Sequence, residues 1–230
     1  MRTDYSKVKK NLDYKIFAIG YNKTATTSIH NFFRKNGLPS HHDSCNWKVQ
    51  KFQCFSDNGD LQDYKKFYEK YPKSVFLLNT RRLDKWVTSR GKHYEFSKWC
   101  KSGHKYPSVP RYSEWLEKRH AYYKDVLEFF QKDPSRLYII NIDRENWLEE
   151  MAKMFNLQHI ELHSNKMADA RIPDEFLELI KQMFDGACEK LNIKEEDKSS
   201  SLLIRSMFKN DSEYQKYKGL LDTYNENTYL

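Results

Sequence analysis

Lys15-Ile-Phe-Ala-Ile-Gly-Tyr-Asn-Lys-Thr-Ala-Thr-Thr-Ser-Ile-His-Asn-Phe-Phe33 is the stretch on which the reading of this chain turns. The apolar run predicts a buried strand over 15–20. Ile29, Phe32 and Phe33 recur at helical spacing and predict a helix over about 26–36, which Gly37 ends. Between them lies a tight turn with one lysine and four hydroxyl residues. The first N–H groups of a helix have no internal acceptor and carry partial positive charge, so strand, turn and helix start together make an anion site. Lys23 adds a full charge, and Thr24, Thr26, Thr27 and Ser28 add donors. One such hydroxyl alone would ordinarily be a helix cap. Four in five positions behind a lysine exceed what a cap requires, and the turn reads as a phosphate cradle.

The order of residues separates this turn from the nucleotide-hydrolase pattern GxxxxGK[ST]. Lys23 lies three residues after Gly20, and Ala25 stands where a second glycine would be expected. A second apolar run, Ser74-Val-Phe-Leu-Leu-Asn-Thr80, leads into Arg81-Arg-Leu-Asp-Lys-Trp-Val-Thr-Ser-Arg90. Arg81 closes a strand, and Ser89 follows eight residues later on the next helix. Alone, each of these residues would be ordinary surface.

Lys23-Thr24-Ala25-Thr26-Thr27-Ser28 resembles the 5′-phosphosulfate loop of sulfotransferases that use 3′-phosphoadenosine 5′-phosphosulfate (PAPS), with alanine in place of that family's glycine. Arg81 and Ser89 have the spacing of the family's 3′-phosphate contacts. Ile140–Asp143, the segment 147–157 and His163–Lys166 resemble its later elements, so the resemblance spans about 14–166. It implies an α/β fold of the P-loop nucleotide-hydrolase-like sulfotransferase type, PAPS as donor with adenosine 3′,5′-bisphosphate (PAP) as product, and no metal. It further implies that Lys23 meets the bridging oxygen, that residues 23–28 hold the 5′-phosphate, and that a histidine or glutamate after the first helix is the base. His42 is the first choice for that base, then His41, then Asp43. If 38–42 is a strand, only one of the two histidines faces the pocket.

The rest of the chain alternates strand and helix: helix over 60–71, strand over 74–80, helix from about 83, loop over 100–112, helix over 113–131, strand over 136–142, helix over 145–155. This predicts a parallel sheet covered by helices on both faces, with ligands beyond the carboxyl ends of the strands. Residues 173–230, with Phe176, Leu177, Ile180, Met183 and Phe184 at helical spacing, read as a helical C-terminal appendage packed on the sheet or a partner. The expectation is one domain over 1–230, since about 60 residues of such low apolarity would make a marginal core alone.

The chain has 230 residues and a net charge of +8, and the 15% aromatic content argues against disorder. The basic balance suits an anionic cofactor, and no helix-turn-helix, zinc-finger or RNP-type signature points to specific nucleic acid. Cys45, Cys54, Cys100 and Cys188 are scattered, without the spacing of a metal site. A polar opening and the lack of any run of span length lead to the expectation of a cytoplasmic protein without a membrane span.

The resemblance implies an acceptor, a small molecule, glycan or peptide bearing a hydroxyl or amine, and its pocket is expected to draw on residues 91–123, where Lys92, His93, Tyr94, Trp99, Lys101, Tyr106, Arg111, Tyr112 and Trp115 cluster. Core packing is the larger expectation for the tryptophans, and His93, His104 and His120 are further base candidates. Two other functions remain open. A P-loop-type small-molecule or nucleotide kinase is disfavoured because the strand ends Asn79-Thr80-Arg81 rather than in a magnesium-binding carboxylate. A non-catalytic polyanion-binding module would keep the cradle without turnover.

Overall fold

The computed structural model describes residues 14–42, 51–101, 107–162, 172–224 and 228–229. Asp43, Cys45, His104, Tyr106 and the stretch 163–166 lie outside the described residues. The chain divides into two compact units. One holds the described residues of Met1–Thr80, Asp133–Asn165 and Tyr224–Leu230, and the other those of Arg81–Lys132 and Lys166–Thr223.

The first unit contains a six-stranded, all-parallel sheet: β1 (Ile16–Ala18), β2 (Ser40–His42), β3 (Cys54–Ser56), β4 (Val75–Thr80), β5 (Leu137–Asn141) and β6 (Thr228–Tyr229), in the order β2-β3-β1-β4-β5-β6. Its helices are α1 (Thr26–Lys35), α2 (Tyr64–Lys70) and, after β5, α6 (Trp147–Met154). Strand alternation sends Ile16, Ala18, Cys54, Leu77 and Ile140 to one face, where they pack with Ile29, Phe32 and Phe33 of α1 and with Met151, Ala152 and Phe155 at α6. The other face is aromatic. The Phe17 ring lies 5.0 Å from Phe55, 5.5 Å from Phe76 and 4.8 Å from Phe67 of α2. Burying such a phenyl ring contributes roughly 1.5–3 kcal/mol. Helices thus cover both faces, as the alternation predicts.

Helix α1 ends where the sequence says it must. Gly37 takes φ 78°, and the Leu38 N–H reaches back to the Phe33 carbonyl at 3.0 Å. That is the Schellman arrangement glycine permits. Leu38 then enters the core and starts the chain toward β2. From β1 the chain goes to the edge at β2, returns at β3 and crosses to β4 on the other side of β1. The direction of winding reverses beside β1, so the loop after β1 lies at the carboxyl-end crevice where such sheets bind ligands.

The second unit is helical: α3 (Leu83–Tyr94), α4 (Phe96–Lys101), α5 (Val109–Phe130), α7 (Asp174–Lys190) and α8 (Asp211–Asp222). Helix α5 begins earlier than the loop expected over 100–112 allows, because Pro110 sits in its first turn, where its missing N–H costs nothing. Helix α7 packs on α3 and α5, with Phe176 against Phe96 and Trp99. Gly91 of α3 has no room for a side chain, since a Cβ there would lie 2.6 Å from the Tyr112 hydroxyl and 3.0 Å from Ile180. The C-terminal helices find their core with α3–α5, which a reading of residues 173–230 by themselves does not supply. Strands β3 and β6 were not anticipated. Neither Cys54-Phe-Ser56 nor Thr228-Tyr229 lies in an apolar run like that around β1, so neither leaves a periodic signal in sequence.

Candidate functional site

The loop from Gly20 to Ala25 is built from the strand outward. A Cβ on Gly20 would lie 2.1 Å from the Asn79 carbonyl oxygen, so only glycine lets β1 and β4 stay paired there. Asn79, fully buried at the end of β4, straps the loop. Its Oδ1 accepts from the Gly20 N–H at 3.0 Å, and its Nδ2 donates to the Thr24 carbonyl at 2.9 Å and to Thr24 Oγ1 at 2.5 Å. The Thr24 hydroxyl in turn donates to the Tyr21 carbonyl. That hydroxyl, expected to meet phosphate, is therefore committed to the loop's own framework.

Lys23 and Ala25 both adopt left-handed backbone, with φ 65° and 60°. Ala25 is the N-cap of α1, its carbonyl accepts from the Ile29 N–H at 2.9 Å, and no side chain caps the helix. The hydroxyls are therefore not caps. Thr26, Thr27 and Ser28 are the first three helical residues, and helix geometry leaves their main-chain N–H groups without an intrahelical acceptor. No acidic residue stands in that turn. Thr26 is buried, Ser28 half-buried and Thr27 exposed, with Lys23 half-buried before them. The arrangement is an uncapped helix start lined with hydroxyls, which favours an anion over a cation.

Strand β2 separates the two candidate bases. His42 Nε2 lies 3.3 Å from Thr26 Oγ1 and 3.4 Å from Thr27 Oγ1, at the first turn of α1. His41 points the other way, its ring 4.8 Å from Phe52 and 6.2 Å from Phe55. A third histidine, absent from the sequence-based candidates, completes the group. His30 of α1 meets Ser40 Oγ through Nδ1 at 2.9 Å, and its ring lies 5.4 Å from that of His42. Burial, then the neighbouring His42 and Arg34, push the His30 pKa down to about 4, so it stays neutral at pH 7. Only the pairing of β2 beside α1 brings it there, and no sequence spacing signals it.

The strand β3 turn adds a second strained segment. Asp57 and Asn58 take φ 88° and 48°, Gly59 packs so closely on Ile19 that a Cβ would lie 2.4 Å from its Cα, and Asn22 Nδ2 donates to Asn58 Oδ1 at 2.8 Å.

In the second unit, Arg81 is half-buried just before α3, and Ser89 is half-buried within that helix. Arg82 is engaged by Asp84 through two bonds of 2.7 and 3.2 Å. Of the expected acceptor cluster, Trp99, Tyr112 and Trp115 are buried, and Trp99 and Tyr112 stack within the helical core. Arg90 lies over the Trp86, Tyr94 and Trp115 rings at 4.9–5.3 Å. His120 is 7% exposed against Phe208, and burial, with Lys124 and Arg119 nearby, lowers its pKa to about 4. His93 is exposed. Among the described residues no cluster of three or more His, Cys, Asp or Glu side chains could hold a metal, and no helix is long and apolar enough to cross a membrane. Comparison with known proteins finds no family model that matches this chain and no curated protein that matches it.

Proposed function

We propose that this chain is a PAPS-dependent sulfotransferase, with a P-loop-like sulfotransferase fold. The observation that carries the reading is the uncapped start of α1. Thr26, Thr27 and Ser28 open the helix behind Lys23, no carboxylate lies in the turn, and the strap at the end of β4 is an amide, Asn79, rather than a magnesium-binding acid. These residues fit a phosphosulfate in charge and in donor number, and fit a magnesium nucleotide poorly.

The donor supplies a sulfuryl group for in-line displacement by a hydroxyl or amine. The chain's part is electrostatic and positional. The α1 N–H groups and the hydroxyls of Thr26, Thr27 and Ser28 hold the 5′-phosphate, and the Lys23 ammonium offsets the charge that grows on it. His42, beside Thr26 and Thr27, takes the acceptor proton at Nε2. Arg81 and Ser89 are assigned the 3′-phosphate from their spacing in sequence.

Titration of the full chain with PAP, and with ATP plus magnesium, tests the donor class. Binding of PAP and transfer of radiolabelled sulfate from PAPS to pooled small molecules, glycans or peptides are expected. Binding of magnesium ATP without binding of PAP sinks the proposal in favour of a kinase. Salt-sensitive polyanion binding that Lys23→Ala leaves unchanged, without turnover, favours the non-catalytic module.

A further inference from the structure

Arg119 is fully buried in the middle of α5. Its guanidinium is stacked between the rings of Trp86 at 5.3 Å and Tyr123 at 4.8 Å, and its Nε and Nη1 have no hydrogen-bond partner among the described residues. Only Nη2 is engaged, donating to two main-chain oxygens: the Arg81 carbonyl at 2.7 Å and the Ser201 carbonyl at 2.5 Å. Next to this fork the Leu83 N–H donates to the Ser200 carbonyl at 3.0 Å. Residues 200–201 therefore run beside 81–83, the start of α3, and Arg119 ties the two segments from beneath. The three-serine run Ser199-Ser200-Ser201, which interrupts the helical pattern of the C-terminal part, gains a place by this contact.

A buried cation is costly where no carboxylate pairs with it, and among the described residues no ion pair involves Arg119; an apolar side chain of similar size would fill the space between Trp86 and Tyr123 without that cost, though without the attraction of a cation to the two ring faces. What arginine alone supplies is a positive charge below the Arg81 peptide and a grip on two chain segments at once. An anion bound at Arg81 would provide the missing counter-charge. We propose that Arg119 is a positioning residue for the grip on the donor's 3′-phosphate, acting through the main chain of Arg81 and Ser201 without touching the ligand. This inference rests on the donor reading above.

The test is calorimetric titration of the full chain with PAP and with adenosine 5′-monophosphate, which lacks the 3′-phosphate. The ratio of the two affinities is the readout, because general damage to the fold lowers both together. Arg119→Met, which keeps apolar contact with both rings but has neither charge nor fork, is expected to reduce the preference for PAP about tenfold while the monophosphate affinity holds within about twofold. Arg119→Lys, which keeps the charge but has no fork, is expected to lose about threefold. A preference unchanged in both variants overturns the inference, and so does an equal loss for both nucleotides. If Arg119→Met does not fold, Arg119→Lys decides alone, and an unchanged ratio there is fatal. A wild-type chain with no preference for PAP overturns the donor reading together with this inference, whereas preference kept in the variants overturns this inference only.

Discussion

Asn79 is the residue whose replacement should do most damage to the loop at least cost to the rest of the sheet. It is fully buried and makes three bonds, at 3.0, 2.9 and 2.5 Å, to Gly20 and Thr24. At a net 0.5–1.5 kcal/mol each, Asn79→Ala removes roughly 2–4 kcal/mol. Asn79→Asp separates the contributions. A carboxylate still accepts from the Gly20 N–H and can accept from the Thr24 hydroxyl where that turns from the Tyr21 carbonyl, but the bond donated to the Thr24 carbonyl becomes a contact between oxygens, and a charge is buried. At pH 7 its cost is about 3–5 kcal/mol. A protonated carboxyl can again donate to Thr24, so the gap between Asn79→Asp and Asn79→Ala should narrow as pH falls toward 5. Denaturant titrations at pH 5 and 7.5 measure the stabilities, and titration with PAP measures the loop. PAP binding should fall in both variants. An Asn79→Asp variant as stable as wild type at pH 7.5, with PAP affinity unchanged, refutes the strap.

Ala25→Gly removes a left-handed alanine, a strain of about 1–2 kcal/mol, against an unfolded-state entropy cost of about 0.4–1 kcal/mol. A net gain near 0.5–1 kcal/mol in chemical denaturation is expected, and a loss contradicts the assigned backbone. Lys23→Ala should lower sulfate transfer by at least about 10²-fold with an unchanged circular dichroism spectrum, and retained turnover removes Lys23 from the chemistry. His120 has its folded pKa depressed to about 4 from an ordinary 6.5, so its stabilising effect is complete above pH 6.5 and is lost as pH falls toward 4. That depression amounts to about 3 kcal/mol, and His30, partly exposed, adds a smaller loss in the same window. Denaturation of wild type and His120→Leu at pH 7.5 and 4 checks this: the variant should lose less stability on acidification, and parallel losses disprove it.

The parallel sheet was legible because β1, β4 and β5 are apolar runs followed by helical periodicity, a local signal. The loop was legible for the same reason: Gly20, Lys23 and the hydroxyls are consecutive. What was not legible depends on pairing. The hydroxyl of Thr24 looked like a ligand donor because its partners, Tyr21 and Asn79, are brought to it only by the fold. His30 sits among the polar residues of an amphipathic helix, and nothing local distinguishes it until β2 places Ser40 and His42 beside it. Alternation in β2, by contrast, says from sequence alone that only one of His41 and His42 can face the pocket, and the contacts of the two rings show which side each takes.

The distribution of backbone strain argues independently for the same end of the sheet. Six non-glycine residues among those described have positive φ: Lys23, Ala25, Asp57, Asn58, Asn156 and Asn192. The last two follow the ends of α6 and α7, where asparagine commonly takes the left-handed position that closes a helix. They need no further cause. The other four fall in the turns after β1 and β3, which are adjacent in the sheet and are joined by the Asn22–Asn58 bond. Such residues cost of order 1–3 kcal/mol each, less for Asp and Asn, and persist only where their surroundings hold them in place. Here the holders are visible: Asn79 for the first turn, and Gly59 packed on Ile19 for the second. Strain held beside the winding reversal is what a preorganised anion loop needs, since an ordered cradle spends none of the ligand's binding energy on loop closure. If that is its purpose, PAP should protect the amides of residues 20–28 and 57–59 from hydrogen exchange no more than a few-fold, because they are already ordered. Protection by several orders of magnitude would mean that the ligand, and not the strap, builds the loop.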